Sequence, residues 1–344
     1  MQAQDITKGS IGGVVRDASG AVVPNITVRL SSPYGEHVTK TNNGGEYVFP
    51  NLVVGSGYIL TVAQSGFATA KVTNLNVGVN QRTTTDITLT VSTTSQTVDV
   101  VSEGTATIDL VTTTIGANID ESLYKNIPVG RNISSIISMA PGAADGLGTG
   151  AANPSINGAS GLENQYVING ANVTDPGFGG FGTYSRNYGS LGNGVNFDFI
   201  QEVQVKTGGF EAEYGQALGG VINILTKSGG NDYHGSFYGY FAPKSLAVDA
   251  KNANIGLSNP GTYVSGDSKY DFGGDLGGFI KKNKLFWYGG FNPQFNRDYR
   301  SVLPVFGNSK LGTIEVKTRT LNYQAKINYN ISDNHSSEGC FRRP

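Results

Sequence analysis

The residue types that most often perform chemistry are scarce in this chain. Cys340 is its one cysteine, so cysteines can build neither a disulfide framework nor a thiolate metal site. The three histidines, His37, His234 and His335, are too far apart in sequence to form a local metal-binding or catalytic motif. We interpret them as exposed strand or turn residues, and we expect no metal and no cofactor.

Short motifs for nucleotide binding and hydrolysis are absent or out of context. Gly177, Gly179 and Gly182 satisfy G-x-G-x-x-G, but Asp175-Pro176 precedes them where a strand is required, and no helix opens after them. The chain has no P-loop, no H-E-x-x-H and no G-x-S-x-G. We therefore expect no catalytic residues and a protein that is not an enzyme.

Composition limits the partners and the number of domains. The 25 Lys and Arg residues nearly balance the 26 Asp and Glu residues, so no net field would steer the chain to nucleic acid, and we expect no nucleic-acid partner. At about 150 residues per domain, 344 residues indicate two or three domains.

The sequence encodes no membrane-spanning helix, because no apolar run reaches about 18 residues. A membrane protein with this sequence would have to be a β-barrel. The start, Met1–Asp5, shows no signal peptide, although Ala3-Gln4 is similar to the residue pair around a signal cleavage site.

Residues 9–92 alternate apolar and polar residues over strand lengths separated by turn residues, which predicts a small β-sandwich of about seven strands. Asn42–Gly45 predicts a tight hairpin. The segments Gly12–Asp17, Gly20–Val28 and Asn43–Phe49 resemble the carboxypeptidase regulatory-like domain. That family is a transthyretin-like, carbohydrate-binding-like sandwich without catalytic residues, so the resemblance implies a docking or folding module.

Residues 1–8 form a short tail before the sandwich. Residues 93–115, which follow the sandwich, are rich in Thr, Ser and Val, and this composition predicts an extended linker. At its centre lies one β-prone string: Thr97, Val98, Asp99, Val100 and Val101. On pattern alone this string is equally an edge strand or a strand that adds to a partner's sheet edge by main-chain hydrogen bonds.

Residues 116–228 change to a mixed α/β pattern with a small sheet. Asp120–Leu123 predicts a short helix that Pro128 ends, and Asn132–Met139 predicts a second one that stops at Pro141-Gly142. Strand-like segments follow these helices.

Several segments of this region occur in the order Ile127–Asn132, Met139–Gly142, Ile156–Gly158, Tyr166–Asp175, Phe199–Val205, Glu213–Gly215 and Gly219–Gly229. Together they resemble the plug of TonB-dependent outer-membrane receptors, most closely in the Oar-like branch. Asn169 stands where that family has an acid.

Residues 229–344 carry a barrel pattern. From Leu321 to Ile331 every second residue is apolar and the residues between are polar, as expected of a strand with one face to lipid and one to a lumen. His335–Pro344 breaks the alternation. A closed barrel of this type has 22 strands, so this region would supply the first strands of an incomplete barrel. We expect a frameshift, a premature stop or a contig end near Asn334, and a natural short protein is the alternative.

The expected fold class is therefore multidomain and mainly β: a transthyretin-like sandwich, an α/β plug and an incomplete antiparallel transmembrane β-barrel. The resemblance implies an outer-membrane receptor of a Gram-negative bacterium, surrounded by outer-membrane lipid, that takes up a ligand with inner-membrane energy. It also implies a TonB-type partner at residues 97–101, the candidate TonB box.

The ligand stays open between an oligosaccharide, a peptide and a metal chelate. The plug loop that would face it is aromatic and glycine-rich, and we expect five of its side chains to be ligand-facing: Phe178, Phe181, Tyr184, Arg186 and Tyr188. The alternative interpretation is a secreted or periplasmic binding module, with carbohydrate as a ligand, or a non-functional remnant of a receptor.

Overall fold

The structure is a computed structural model. It describes residues 6–91, 97–101, 114–146, 152–182, 184–185, 189–190, 194–210, 214–215, 217–246, 262–302, 313–332 and 335–343. Within these residues no helix is long and apolar enough to cross a membrane.

The first part of the chain folds into two facing sheets. Its strands are β1 (Lys8–Asp17), β2 (Thr27–Ser32), β3 (Gly35–Lys40), β4 (Glu46–Val53), β5 (Gly55–Val62), β6 (Thr69–Val77), β7 (Arg82–Thr84) and β8 (Ile87–Leu89). One sheet has the order β4-β1-β7, with β8 also on β1, and the other begins β3-β2-β5-β6. The alternating residues pack between the sheets, as in Val28 and Leu30 of β2 facing Tyr47 and Phe49 of β4. The predicted sandwich is confirmed.

The hairpin predicted at Asn42–Gly45 is wrong. β3 pairs with β2, whereas β4 pairs with β1 in the other sheet, so the turn carries the chain across the sandwich. The turn chemistry itself is present: Gly45 has a φ of 71°, and the Asn42 side chain accepts the Gly44 and Glu46 N–H groups at 2.9 and 3.0 Å. A local turn signal cannot tell a hairpin from a crossing between sheets.

The second part is a small α/β unit, residues 114–228, which we call the plug-like unit or the plug. Its strands are β10 (Ile115–Asp120), β11 (Ala143–Ala144), β12 (Ser155–Ile156), β13 (Gln165–Ile168), β14 (Ala171–Asn172), β15 (Tyr184–Ser185), β16 (Gly189–Ser190), β17 (Ile200–Gly208) and β18 (Val221–Thr226), and its five-stranded sheet has the order β10-β17-β18-β13-β14. The two predicted helices are confirmed as α1 (Glu121–Asn126) and α2 (Ile133–Ile137), with Asp120 and Asn132 as N-caps.

The last part is a single antiparallel sheet, which we call the barrel sheet. Its order is β19-β20-β21-β22-β23, with β19 (His234–Ala242), β20 (Thr262–Lys281), β21 (Leu285–Val302), β22 (Thr313–Ser332) and β23 (His335–Arg343). The polar side chains of Asn322, Gln324 and Lys326 are buried, whereas Leu321 and Ile327 on the opposite face are exposed. The predicted two-faced alternation is confirmed.

The last strand differs from its prediction. The alternation breaks at residue 335, yet β23 pairs with β22 through its backbone from Ser336 to Arg343. Main-chain hydrogen bonds hold a strand in place whatever its side-chain pattern, and Lys326 adds an ion pair to Glu338 at 3.0 Å.

The sandwich lies at the short-turn end of the barrel sheet. β20 and β21 are joined through residues 282–284, whereas the connections at the opposite end occupy residues 243–261 and 303–312. The Asn231 N–H donates to the Pro33 carbonyl of the sandwich at 2.6 Å, and the Asn231 side chain bonds Asn283 in the short turn. In the outer-membrane barrel that the sequence resemblance implies, short turns face the periplasm, so the sandwich is expected on the periplasmic side.

Candidate functional site

A strand outside the sandwich proper extends one of its sheets. β9 (Thr97–Val101) pairs in parallel with β6, from Thr69 opposite Thr97 to Thr73 opposite Val101. In the described part of the chain β9 ends the order β3-β2-β5-β6-β9, so its outer edge carries no strand there. The string that the sequence singled out as a β-addition segment is thus placed at an open sheet edge.

The sandwich meets the plug-like unit at a buried polar junction. The Glu202 carboxylate on β17 accepts the Val79 N–H at 3.0 Å and the Asn118 amide at 2.5 Å. The Val79 carbonyl accepts the amides of Asn118, at 3.2 Å, and Gln204, at 2.7 Å. We call Val79, Asn118, Glu202 and Gln204 the junction. It ties β10, which follows the linker, to both neighbouring units.

Burial dominates the electrostatics of the junction. It raises the pKa of Glu202 from 4.5 to about 7, although the hydrogen bonds from Val79 and Asn118 oppose the shift. The side chain of Val79 also packs with Val54 and Leu225 in a small buried apolar cluster. Docking of the sandwich therefore disfavours the charged form of Glu202 relative to a glutamate in water.

A single arginine joins the plug-like unit to the barrel sheet. The Arg131 guanidinium pairs with Asp198 of the same unit at 2.6 Å and with Asp271 on β20 at 3.0 Å. It also lies over the Tyr240 ring of β19, 3.4 Å from the centroid. Because the Asp198 side chain is almost fully buried, removing Arg131 would leave an unpaired buried charge.

Further polar contacts hold this unit against the barrel's inner face. Asn196 donates to Asn292 of β21 at 2.6 Å, and the Lys326 ammonium donates to the Thr226 carbonyl at 3.2 Å. Phe199 approaches Gly290 so closely that a Cβ at residue 290 would lie 2.5 Å from its ring. The unit therefore covers the polar face of the sheet as a plug covers a lumen.

Asn169 stands where the plug family has an acidic residue, and its amide group makes two hydrogen bonds to Thr226. Its side chain accepts the Thr226 N–H at 3.0 Å and donates to the Thr226 hydroxyl at 2.8 Å. Its φ of 47° lies in the left-handed region, which asparagine tolerates better than most residues. A carboxylate could make the first bond but could not donate the second.

The residues predicted to face a ligand are not brought together as a group. Phe178 is exposed, but Phe181 is only 2% exposed and stacks on Tyr166 in the plug core, with ring centroids 5.2 Å apart. The expectation for Phe181 is therefore corrected: its side chain is a core residue. Of Tyr184 the structure describes the backbone, in β15, and Arg186 and Tyr188 lie outside the described residues.

Sequence reasoning missed the junction and Arg131. One signal was present: Ile200–Val205 places Glu202 and Gln204 on one face of a strand, and Val203 and Val205 on the other. Polar residues at alternate positions of a strand predict a polar contact surface, but the partner, a backbone group 123 residues away, is not visible in a local pattern.

Three family models match successive parts of the chain. The carboxypeptidase regulatory-like domain matches residues 10–90, the TonB-dependent receptor plug domain matches residues 111–221, and an outer membrane beta barrel domain matches residues 225–306. The chain thus carries a match to the plug domain of TonB-dependent receptors and a match to an outer-membrane barrel domain, and the two together indicate the outer membrane of a Gram-negative bacterium.

The chain is similar to the TonB-dependent transporter Oar of Myxococcus xanthus. The two are 29% identical over 95% of this chain, which spans 32% of Oar, so the chain spans about a third of that relative. The ferrienterobactin receptor of Escherichia coli is 41% identical over 18% of this chain and 9% of its own length. The outer membrane transporter YddB from Escherichia coli matches with a TM-score of 0.47 and 16% identity over 65% of this chain and 32% of its own.

Proposed function

We propose that this chain is part of a receptor that takes up a ligand across the outer membrane with energy from the inner membrane. The plug-like unit closes the lumen side of the barrel sheet, and the sandwich lies on the periplasmic side. The observation that carries the proposal is the position of β9, at an open sheet edge between the sandwich and the plug.

The partner is a TonB-type protein that adds a strand to the outer edge of β9. Such an edge offers unpaired N–H and C=O groups, and main-chain pairing gives affinity with little dependence on side chains. Since β9 precedes β10 in the chain, a pull on β9 is transmitted through residues 102–114 to the first residue of β10.

β10 is the element through which that force reaches the plug. Among the strands that the structure describes, it is the outermost one of the plug sheet and pairs with β17 only. Its release therefore breaks one ladder and the Asn118 contacts of the junction, and leaves the other strand pairs of the plug sheet intact. Detachment of β10 opens a path beside β17 for the ligand.

The test is a binding measurement with one substitution and its matched control. Val98→Pro removes a backbone donor and fixes φ, whereas Val98→Thr keeps the donor and the β-branched shape. The protein, at the full length that its gene encodes, is purified in detergent and titrated with the periplasmic domain of the TonB-type protein from the same organism.

We expect Val98→Pro to weaken binding at least tenfold and Val98→Thr to bind as the unchanged protein does. Equal binding by both variants would remove β9 as the coupling segment. Recovery of the native protein in the soluble fraction, rather than in membranes, would instead favour a periplasmic binding module.

A further inference from the structure

A row of large side chains crosses four strands of the barrel sheet at one level. In register, Phe241 of β19 lies opposite Tyr270 of β20, Tyr270 opposite Phe295 of β21, and Phe295 opposite Arg319 of β22. Phe272 joins this row by stacking on Phe295, with ring centroids 6.0 Å apart. The row therefore consists of aromatic side chains on three neighbouring strands and a cationic side chain on the fourth.

This row faces away from the plug. Phe295 lies on the same face of β21 as Phe291, which is 53% exposed, whereas the intervening Asn292 is fully buried against the plug. Arg319 likewise shares a face with the exposed Leu321. The row belongs to the outer surface of the sheet, where lipid lies.

Its height places it at the membrane surface. The apolar outward residues of β22 run from Ile331 to Leu321, and Arg319 is the next outward residue. Ten residues span about 33 Å along a strand, which a tilt of about 40° reduces to roughly 25 Å, the height of the apolar band of outer-membrane barrels. Arg319 therefore lies at headgroup level, on the side of the long connections and so in the outer leaflet.

Two more cations extend the charge beyond the row. Arg297 and Lys317 lie opposite each other, one step closer to the long connections. Glu315 contacts both, at 3.6 and 3.4 Å, and neutralises one charge. Among the described residues no carboxylate pairs with Arg319 in an ion pair, so the cluster keeps a net positive charge of about two.

The aromatic rings and the cations line a surface cavity of about 380 Å³. Its lining includes Tyr270, Phe272, Phe295, Arg297, Lys317 and Arg319. An aromatic floor at the upper limit of the apolar band accepts hydrocarbon, and guanidinium groups bind phosphate oxygens through paired N–H donors. Polar and apolar recognition are thus combined at one height of the membrane.

We propose that this cavity binds a phosphate-bearing lipid of the outer leaflet. The phosphate lies on Arg297, Lys317 and Arg319, and an acyl chain follows the outward aromatic and aliphatic side chains below them. A free anion would not use the aromatic floor, and a neutral lipid would not use the cations. The site lies outside the lumen and is independent of the energy-coupling proposal.

The experiment compares two triple substitutions that remove equal charge at opposite ends of the sheet. Arg297→Gln, Lys317→Gln and Arg319→Gln remove the site, whereas the control, Lys281→Gln, Lys282→Gln and Lys284→Gln, removes three cations near the short turn. Full-length proteins in detergent are titrated with diphosphorylated lipid A and with fully dephosphorylated lipid A, and bound lipid is counted by native mass spectrometry. The single variant Arg319→Gln is measured as well, in case the triple variant does not fold.

We expect the site variant to bind diphosphorylated lipid A at least tenfold more weakly than the control variant, and Arg319→Gln to show part of that loss. Dephosphorylated lipid A should bind all proteins equally weakly. The proposal is overturned if both triple variants lose the same affinity, or if removal of the phosphates changes nothing. Displacement of the lipid by millimolar inorganic phosphate would overturn it in favour of a free-anion site.

Discussion

Two ionisable residues, Glu202 and Arg131, connect the plug to its neighbours in different ways. Glu202 is a buried carboxylate that accepts hydrogen bonds from two neutral donors, so its charge opposes docking. Arg131 is a cation between two carboxylates, so its charge supports the contact between plug and barrel. The sandwich contact should therefore respond to pH near neutrality, and the barrel contact should not.

We predict that sandwich docking weakens as the pH rises. The pKa of Glu202 is about 7 in the docked state, against its ordinary value of 4.5 in water, so the docked state binds more protons between these values. Its contribution is complete below about pH 4.5 and is lost as the pH passes through about 7. At about 1.4 kcal/mol per pKa unit, the rise from 4.5 to about 7 changes the free energy of docking by roughly 3 to 4 kcal/mol.

The measurement is hydrogen exchange of the Val79 amide between pH 5 and 8, corrected for the intrinsic rate. Protection should fall with rising pH in the unchanged protein and stay constant in Glu202→Gln, which is neutral at every pH. Parallel pH profiles for the two proteins would contradict this assignment to Glu202.

We predict that Arg131→Ala loosens the plug within the barrel. Removing one partner of a buried ion pair leaves an uncompensated charge, here Asp198, at a cost of about 3 to 5 kcal/mol. The control is Lys125→Ala, which removes an ion pair to Glu121 that is about one third exposed and should cost less than about 1 kcal/mol. Urea unfolding of the plug, followed by protease sensitivity, gives both values, and equal values would show that Arg131 is no anchor.

At the scale of elements, alternation and capping signals predicted most of the structure. The strands around Leu30, Leu60 and Ile327 and the helices begun by Asp120 and Asn132 follow from residue spacing and turn chemistry. The pairing of strands that are distant in sequence does not follow from these signals. A turn such as Asn42–Gly45 has the same local chemistry whether the two strands that it connects lie in one sheet or in two different sheets. The domain boundaries stay predictions.

The direction of side chains within a loop was the second feature that the sequence could not predict. The sequence could not distinguish Phe178, which is exposed, from Phe181, which packs on Tyr166. A glycine-rich loop has no periodicity that assigns a face, so burial there depends on tertiary contacts alone.

We predict that β10 leaves the plug before any other strand when β9 is pulled. In single-molecule force measurements from residue 98 against the barrel, the first extension should correspond to residues 99–120, about 75 Å at about 3.4 Å per residue. A disulfide between Ala117→Cys and Val205→Cys, which lie opposite each other in β10 and β17, should shorten that step to residues 99–117, about 65 Å, in the background Cys340→Ser. A first step that persists at the same length in the cross-linked protein would contradict the model of β10 release.

At the scale of the whole molecule, the sandwich, the plug and the barrel sheet form one chain of contacts. The sandwich touches the short-turn end of the barrel through Pro33 and Asn231, and it touches the plug through the junction. This arrangement places β9 on the side from which an inner-membrane protein can reach it. The central claim is therefore that β9 faces the periplasm and that a TonB-type protein binds it there.

The most direct test of that claim is photo-crosslinking in living cells. A benzophenone amino acid is placed at Val98 in β9 or, as a control, at Val38 in β3, which lies at the opposite edge of the same sheet. We predict an adduct with the TonB-type protein from position 98 and none from position 38. An outer-membrane protein that yields no adduct from position 98, or equal adducts from both positions, would contradict the account.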